Sequence, residues 1–582
     1  MNEKNERIKH SCEHVYAQAI KELYQDRVTL AVAHISEDGF ANDAKWQQPI
    51  SPDDLPKIEK KMQEIIKADL PIVRKEISID EAKKLFANNP FKLEWVEQWA
   101  KQNQILTVYW TGDKYVDLCK GPHVEHTGEI KAFKLTAIAG AYWRGDEKNE
   151  MLTRVYGVAF DSKEELNDYI TRHEEAKKRD HRKLGKELDL FTFSDLVGSG
   201  LPLYTQKGAL IRKLLNNYVE ELQSKAGYMQ VWTPQITKAD LFKISGHYDK
   251  YKENLFKVKS NYSEEEFFLK PMNCPQHTQI YASRPRSYRD LPIRMTDFAM
   301  LYRDEKPGEL NGLARVRSFS QDDCHVFCRE DQVDQEIDLA LGMIKEVMNT
   351  FGFKYRYRLS TRDPKHPEKY IGNPDTWNKA EIWAEKIIKR NKIDYFEGPG
   401  EAAFYAPKMD LMATDALGRE WQLSTIQIDY FMPEKFNLTY VDNNGTEKRP
   451  VMIHRAIIGS PERFIMILLE HFVGNFPLWL SPVQIDILSV SEKHLDYCQA
   501  LTKEFQAANL RVELDSANES VGKKIRKSVK MKTPYVLVIG DQEMNSDQLS
   551  IRKRGEKETQ QIDKTEFIKN TLNLIAEKSL EL

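Results

Sequence analysis

The sequence predicts an α+β protein of several domains, and three features carry that prediction. Its 582 residues exceed what one hydrophobic core organises and suggest roughly three to five domains. Across residues 298–320 two half-apolar runs, FAMLY and ARVRSFS, flank a Pro/Gly-bearing stretch and read as antiparallel strands joined by a long loop. Beyond Pro482, QIDILSV, LRVEL and YVLVIGD alternate with helical spacing around residues 495–505 and 521–529. That alternation predicts a small α/β domain with a mostly parallel sheet. A charged fraction of 30% and an aromatic fraction of 10% suit a soluble folded enzyme and exclude a disordered chain. The net charge is only -3, so a nucleic-acid surface must be a local patch.

The chain carries no secretory apolar core and no long apolar run, which predicts a cytoplasmic protein with no membrane partner. Six scattered cysteines do not make a disulfide framework and fit a reducing compartment. In RIKHSCEHVYAQAIKELY, the recurrence of Ile8, Cys12, Val15, Ala19 and Leu23 predicts a helix with His10 and His14 on one face. VDLCKGPH then brings Cys119 and His123 off a strand into a Gly/Pro turn. Two histidines with a Cys/His pair read either as a zinc site or as a helix bearing two exposed histidines. Residues 163–191 read as one largely solvated connecting helix. Its basic stretch, Lys177, Lys178, Arg179, Arg182 and Lys183, is a solvated face or a contact for an RNA backbone.

The largest block, 193–482, mixes helices and strands. Leu210, Leu214, Tyr218 and Leu222 predict a helix face that Gly227 ends, and YMQVWTP a strand stopped by Pro234. In the 298–320 hairpin, alternation puts Arg315 and Arg317 on one face and Val316 on the other. Arginine forks suit phosphate oxygens, and Asp322 with Asp323 offers carboxylates to an ammonium. The plainer alternative is a surface hairpin with ordinary salt bridges. Cys274 in KPMNCPQH, His325 in QDDCHVF and His454 in VMIHRAIIGSPERF are each compatible with plain core. As a set they form a Cys/His/His triad that leaves a fourth zinc position open. In the last domain Lys523, Lys524, Arg526, Lys527, Lys530 and Lys532 gather against one acid, Glu519, as a solvated face or a phosphate-binding one.

These blocks resemble the signature motifs of class II aminoacyl-tRNA synthetases, and PMNCP, QDDCHVF and VMIHRAIIGSPERF resemble the threonyl-tRNA synthetases in particular. The resemblance runs from near residue 8 to the C-terminus. It implies a class II antiparallel-sheet catalytic core at 193–482, an N-terminal α+β editing domain at 1–162, a connecting helix at 163–192 and a C-terminal α/β anticodon-binding domain at 483–582. It implies ATP, L-threonine and tRNA(Thr) as partners, a homodimer, one Zn2+ per subunit and Mg2+ with ATP. Arg303, Arg463 and Lys408 are then catalytic, and Arg303, Glu305, Arg315 and Arg463 bind ATP. Met272, Gln321, Asp323, Tyr405, Gln422, Gln427 and Ser460 bind threonine, while Cys274, His325 and His454 hold the metal. His10, His14, Cys119 and His123, supported by Lys92 and Asp117, form an editing site for mischarged seryl-tRNA(Thr), without a metal. Histidines near their ordinary pKa would suit its proton transfers. Asn518, Glu543 and Arg552 read anticodon bases.

Several positions depart from the family pattern. Gln276, Ser318, Ala402 and Ala406 stand where the family usually has glycine, and the HxxxH motif begins so early that a ubiquitin-like domain ahead of it is not expected. Two other functions fit parts of the pattern: an inactive synthetase-like regulatory RNA-binding protein, and an enzyme that loads a carrier protein. Arg303, Arg463 and the three candidate metal ligands weigh against the first, and the anticodon-type domain against the second.

Overall fold

The computed structural model describes residues 3–36 and 39–582. The chain divides into two compact units, Met1–Glu174 and Glu175–Leu582.

The first unit is built around helix α1 (Glu3–Tyr24), which is buried at every position from Ser11 to Ile20. Ile8, Cys12, Val15 and Ala19 lie in the core as predicted, and Leu23 is half-buried at its edge. Strands β1 (Val28–Ile35) and β2 (Phe40–Trp46) follow, then helix α2 (Leu55–Lys67), whose Leu55, Ile58, Met62 and Ile65 recur at helical spacing and are buried. β3 (Ile72–Glu76), α3 (Ile79–Leu85), α4 (Pro90–Lys101), β4 (Thr107–Thr111) and β5 (Tyr115–Leu118) come next, and β6 (Ala132–Tyr142) and β7 (Met151–Phe160) complete the unit. The strands form two antiparallel sheets, β1-β2-β7-β6 and β3-β4-β5. Pro90 opens α4, and the Asn89 side chain caps it by accepting the Lys92 N–H at 3.2 Å.

The predicted connecting helix is two helices. In α5 (Lys163–Arg179) no residue is buried, as expected for a solvated helix, but the chain breaks at Asp180, whose carboxylate caps α6 (His181–Glu187). Asp180 competes for backbone N–H groups better outside a helix than inside one. Within the basic stretch, Arg179 donates to the carbonyls of Glu470 and His471, both at 3.3 Å, and Arg182 pairs with Asp180. Those two charges are committed to structure.

Helix α7 (Gln206–Lys225) buries Ile211, Leu215, Tyr218, Val219 and Leu222. Tyr218 and Leu222 match the predicted face, but Leu210 and Leu214 are only half-buried, so the apolar stripe is rotated by one residue in its first half. Gly227 turns the chain at φ 78°, a left-handed conformation that glycine adopts without strain. The following strand, β8, is only Met229–Gln230. It pairs in parallel with β9 (Ile293–Asp297), which lies beyond helix α8 (Cys274–Ala282).

The hairpin forms as β10 (Met300–Tyr302) against β11 (Ser318–Ser320). Both strands are shorter than predicted, and Arg315 and Arg317 lie on the loop before β11 because Asn311 and Arg315 close a turn of their own. Val316 is nonetheless buried and Arg315 exposed, as the alternation required. β12 (Asp323–Cys328), helix α9 (Val333–Phe351), β13 (Lys354–Thr361), helix α10 (Pro374–Arg390), β14 (Tyr395–Pro399), β15 (Lys408–Thr414), β16 (Glu420–Asp429), β17 (Val451–Ala456) and helix α11 (Pro461–Phe472) complete this block. Eight strands form one sheet in the order β8-β9-β12-β17-β16-β15-β13-β14, antiparallel except for the parallel pair at each edge. Helices α7, α9 and α11 cover its apolar face, where Ile337, Ile344, Phe464 and Leu468 are fully buried.

After Pro482 come β18 (Ile485–Ser489), α12 (Leu495–Ala507), β19 (Val512–Asp515), α13 (Val521–Lys530), β20 (Tyr535–Ile539), α14 (Asp541–Met544), β21 (Gln548–Lys553) and β22 (Gln560–Asp563). The alternating elements are the predicted ones, but the sheet is mixed. β19, β18 and β20 are parallel, and β21 and β22 add an antiparallel hairpin. That hairpin is rich in polar and charged residues and half exposed, so it lacks the apolar run that reveals a strand.

Candidate functional site

A cleft of about 720 Å³ opens on the face of the eight-stranded sheet. Every residue predicted for catalysis, ATP, threonine or metal lines it. The sheet register makes this possible. His325 on β12 stands opposite His454 on β17, and His454 opposite Gln427 on β16, so residues far apart in sequence share one face. Cys274 reaches the same point from the first turn of α8. The candidate ligand atoms of Cys274, His325 and His454 all lie within 4.8 Å of one another, and all three residues are buried.

The donor set fits a borderline-soft divalent ion. It offers one thiol and two imidazoles, with His325 Nε2 and His454 Nδ1 facing each other at 3.0 Å. His454 is held from behind by Asp429, Nε2 to Oδ2 2.9 Å, the carboxylate backing that metal-bound histidines commonly have. Burial pushes the Cys274 thiol well up and His325 well down, so without a cation both are neutral. Asp323 lies beside the triad, 3.6 Å from His325 Nε2, and accepts the Asn273 N–H. Asp322 does not join it. Its side chain is fully buried and accepts the backbone N–H of Ile457 and Ile458, so only one of the two predicted carboxylates faces the cleft.

Three arginines line the same cleft. Arg303 sets its guanidinium 4.9 Å from the centre of the Phe319 ring, and its Nε has no hydrogen-bond partner. Arg315 is paired with Glu305 at 3.0 Å and with Glu309 at 3.1 Å. Arg463 stands in the first turn of α11, donating to the carbonyls of Ala314 and Gln422 at 3.2 and 3.3 Å. Ser460 caps that helix by accepting the Arg463 N–H at 3.3 Å. Gly459, at φ 67°, makes the turn into it, and an added Cβ would sit 2.6 Å from the Leu423 carbonyl oxygen. Lys408 is 3.2 Å from Asp410, whose other oxygen accepts Gln422 Nε2 at 2.8 Å. Gln427 Oε1 is left unpaired. A cleft lined by a thiol/imidazole triad and three guanidiniums can bind a small amine beside a polyphosphate.

The Gln276 side chain fills space and bonds, donating to the Pro234 carbonyl and to Thr237 Oγ1 at 2.9 and 2.5 Å. Ser318 opens β11, Ala406 is buried and Ala402 half-buried. His247 was not anticipated from the sequence. It is fully buried, packs against Phe404 and Tyr405 beside the cleft, and carries an unpartnered Nε2. A single histidine in SGHYDKY gives no pattern that would have marked it.

The first unit holds a second cluster. His10, His14, Cys119 and His123 bring one ligand-type atom each within 4.8 Å of the others. Cys119 Sγ lies 3.1 Å from His10 Nε2 and 3.2 Å from His123 Nε2. Lys92 and Asp117 form a buried ion pair at 2.6 Å, and Asp117 also accepts the Tyr115 hydroxyl at 2.9 Å. The histidines are not near their ordinary pKa, contrary to expectation. Burial drives His10 down to about 4 and His14 and His123 well below their ordinary value, and pushes the Cys119 thiol up to about 12. All four groups are therefore neutral at pH 7, and the imidazoles are proton acceptors.

Residues 256–472 match the tRNA synthetase class II core domain (G, H, P, S and T), 484–574 an anticodon binding domain, and 106–156 the threonyl and alanyl tRNA synthetase second additional domain. Threonine-tRNA ligase from Rubrobacter xylanophilus is 47% identical over 551 residues, covering 94% of this chain and 85% of that protein. The ligase from Thermotoga petrophila is 44% identical, covering 99% and 89%. This chain belongs to the threonine-tRNA ligase family. Among solved structures, the RNA binding domain of threonyl-tRNA synthetase from Cryptosporidium parvum superposes with a TM-score of 0.65 at 38% identity, covering 68% of this chain and 98% of that one. A threonyl-tRNA synthetase from Aeropyrum pernix, itself a tentative assignment, gives 0.60 at 27% identity, covering 69% and 95%.

In this member of the threonine-tRNA ligase family the three expected anticodon residues sit in one domain. Asn518 is exposed on the loop after β19, and Glu543 lies on α14 just after β20, both beyond carboxyl ends of parallel strands where α/β sheets bind ligands. Glu543 accepts the Gly540 N–H at 3.0 Å and the Ser550 hydroxyl at 2.8 Å, and Arg552 on β21 donates to the Lys557 carbonyl. The basic cluster is smaller than its sequence suggests. Lys524 is buried and bonds Ser489 and the Asp515 carbonyl, and Lys523 and Lys527 both pair with Glu519.

Proposed function

We propose that this chain joins L-threonine to tRNA(Thr) at the expense of ATP, and hydrolyses seryl-tRNA(Thr) at the His/Cys cluster of its first unit. The observation that carries the first activity is the convergence of Cys274, His325 and His454 with Arg303, Arg315 and Arg463 in one cleft. Cys274, His325 and His454 would hold a zinc ion, which would supply Lewis-acid binding for the amino group and side-chain hydroxyl of threonine. Asp323 accepts the hydroxyl proton's hydrogen bond, and Met272, Gln321, Tyr405, Gln422, Gln427 and Ser460 shape the pocket. The threonine carboxylate attacks the α-phosphate and pyrophosphate leaves. Arg303 steadies the α-phosphate, Arg315 leaves Glu305 for the γ-phosphate, and Arg463 spans the triphosphate, with Mg2+ accompanying ATP. Glu305 then holds the adenine side, and Lys408 adds a cation near the reacting group.

Valine lacks the hydroxyl, so this pocket rejects it. Serine lacks only a methyl, worth about 1–3 kcal/mol, which is too little for accurate charging. The neutral imidazoles of His10, His14 and His123 suit general-base activation of water against the ester of seryl-tRNA, with Lys92 and Asp117 orienting Cys119 and its surroundings. The division into editing (1–162), connecting (163–192), catalytic (193–482) and anticodon-binding (483–582) segments belongs to the same reading, with Asn518, Glu543 and Arg552 reading anticodon bases. So do a homodimer and a cytoplasmic location. Met229 and Trp232, 60% and 77% exposed around β8, supply apolar surface for a second copy.

The test is charging of tRNA(Thr) transcript by native protein and by His10→Ala and Cys119→Ala. We expect threonylation by all three and accumulation of seryl-tRNA only in the two variants. Threonylation by none contradicts the ligase reading; no seryl-tRNA from either variant contradicts the editing reading.

A further inference from the structure

His325 touches another imidazole on each side, so the position of its proton decides whether it can serve a metal. Its Nε2 faces His454 Nδ1 at 3.0 Å, and its Nδ1 lies 2.7 Å from Nδ1 of His277. The His277 ring meets His325 edge-on, with an interplanar angle of 84°. Two nitrogens at that distance share one proton. If the Nε2 lone pair of His325 goes to a metal, its Nδ1 carries the hydrogen and His277 Nδ1 must accept it. The proton of His277 is then on Nε2, which has no hydrogen-bond partner and faces Asp297 Oδ2 at 3.9 Å. Asp297 is buried, accepts the Thr233 hydroxyl at 2.7 Å, and lies 3.9 Å from the buried Lys270 ammonium. His277 itself is fully buried and does not line the cleft.

We propose that His277 is a positioning residue that fixes the tautomer and orientation of His325 for metal binding, with the buried Asp297 carboxylate oriented behind it. His454 has its carboxylate directly; His325 has an imidazole at Nδ1, with a carboxylate 3.9 Å beyond that ring. The inference rests on the zinc reading above. A histidine kept only for packing would be replaceable by an apolar side chain of similar volume, whereas a tautomer-fixing one needs an acceptor at Nδ1.

The experiment measures zinc affinity by competition with a chromophoric chelator on full-length native protein, His277→Met and His277→Gln, with thermal unfolding as the check of folding. We expect His277→Met to bind zinc about 10- to 100-fold more weakly, and His277→Gln, which keeps an acceptor, to retain most of the affinity. In the Co2+-loaded proteins, His277→Gln should shift the visible d–d bands, because a neutral amide polarises the His325 ring less than an imidazole facing a carboxylate. Equal zinc affinity in native protein and folded His277→Met overturns this inference alone. If His277→Met does not fold, superimposable Co2+ spectra of native protein and His277→Gln overturn it. Native protein that binds no zinc overturns the metal reading and this inference with it.

Discussion

Gly459 does two jobs that no other residue can do at that point: it holds φ 67° and keeps its α-carbon against the Leu423 carbonyl. Gly459→Ala should lose at least about 1–2 kcal/mol from backbone strain alone, read as a lower urea midpoint, and a parallel loss of ATP binding as Arg463 shifts. An unchanged midpoint contradicts the geometry. Glu13 makes a second residue-level prediction. Burial raises its carboxyl to about 8, and Asn42 Nδ2 donates to it at 2.5 Å. Between about pH 4.5 and 8 the native state holds a proton that the unfolded chain has released, so stability falls as pH rises through that window. Glu13→Gln should flatten that fall in a pH series of denaturation curves; an unaltered slope contradicts it. The histidines act in the opposite sense. His10, His14 and His123 stay neutral in the fold while the unfolded chain protonates near 6.5, so stability is full above that pH and declines below it. For the same reason the rate of seryl-tRNA hydrolysis should show no inflection between pH 6 and 7, and a clear one there contradicts the neutral-imidazole reading.

At the scale of elements, α7 carries the packing and α5 does not. Leu215 is fully buried under the sheet, so Leu215→Ala should cost about 2–5 kcal/mol, measured by denaturant unfolding of full-length protein. A change under about 0.5 kcal/mol, the size expected of surface sites, contradicts the rotated stripe. The helix was legible from its spacing, but its rotation was not, because Leu210 and Ile211, like Leu214 and Leu215, are adjacent apolar pairs between which periodicity cannot choose. Helix α1 was legible as a helix but not as one buried all round, since Lys9, Glu13 and Gln18 are polar yet buried. The break at Asp180 and the polar hairpin β21-β22 lacked any apolar signal. By contrast the residues expected to bind ATP, threonine and metal were identifiable by motif and all line the cleft, whereas what brings them together was not legible. The pairing of His325 with His454 joins strands 129 residues apart, and that register depends on the whole sheet. His277 and Asp297 went unread for the same reason: their meaning lies in what stands behind the triad.

At the scale of the whole molecule, two compact units divide the work. The first has its own core around Val15, Tyr16, Ile58, Met62 and Val155, all fully buried, so a fragment ending in α5 should unfold cooperatively by itself and still hydrolyse seryl-tRNA. The second joins the cleft to the mixed C-terminal sheet. The most direct test of the account is amino-acid-dependent pyrophosphate exchange with threonine, serine and valine, on native protein and on Cys274→Ser with zinc content assayed alongside. The account predicts exchange with threonine, weaker exchange with serine, none with valine, and joint loss of zinc and exchange in Cys274→Ser. Full exchange by a zinc-free Cys274→Ser protein, or no exchange with threonine by the native one, would contradict it.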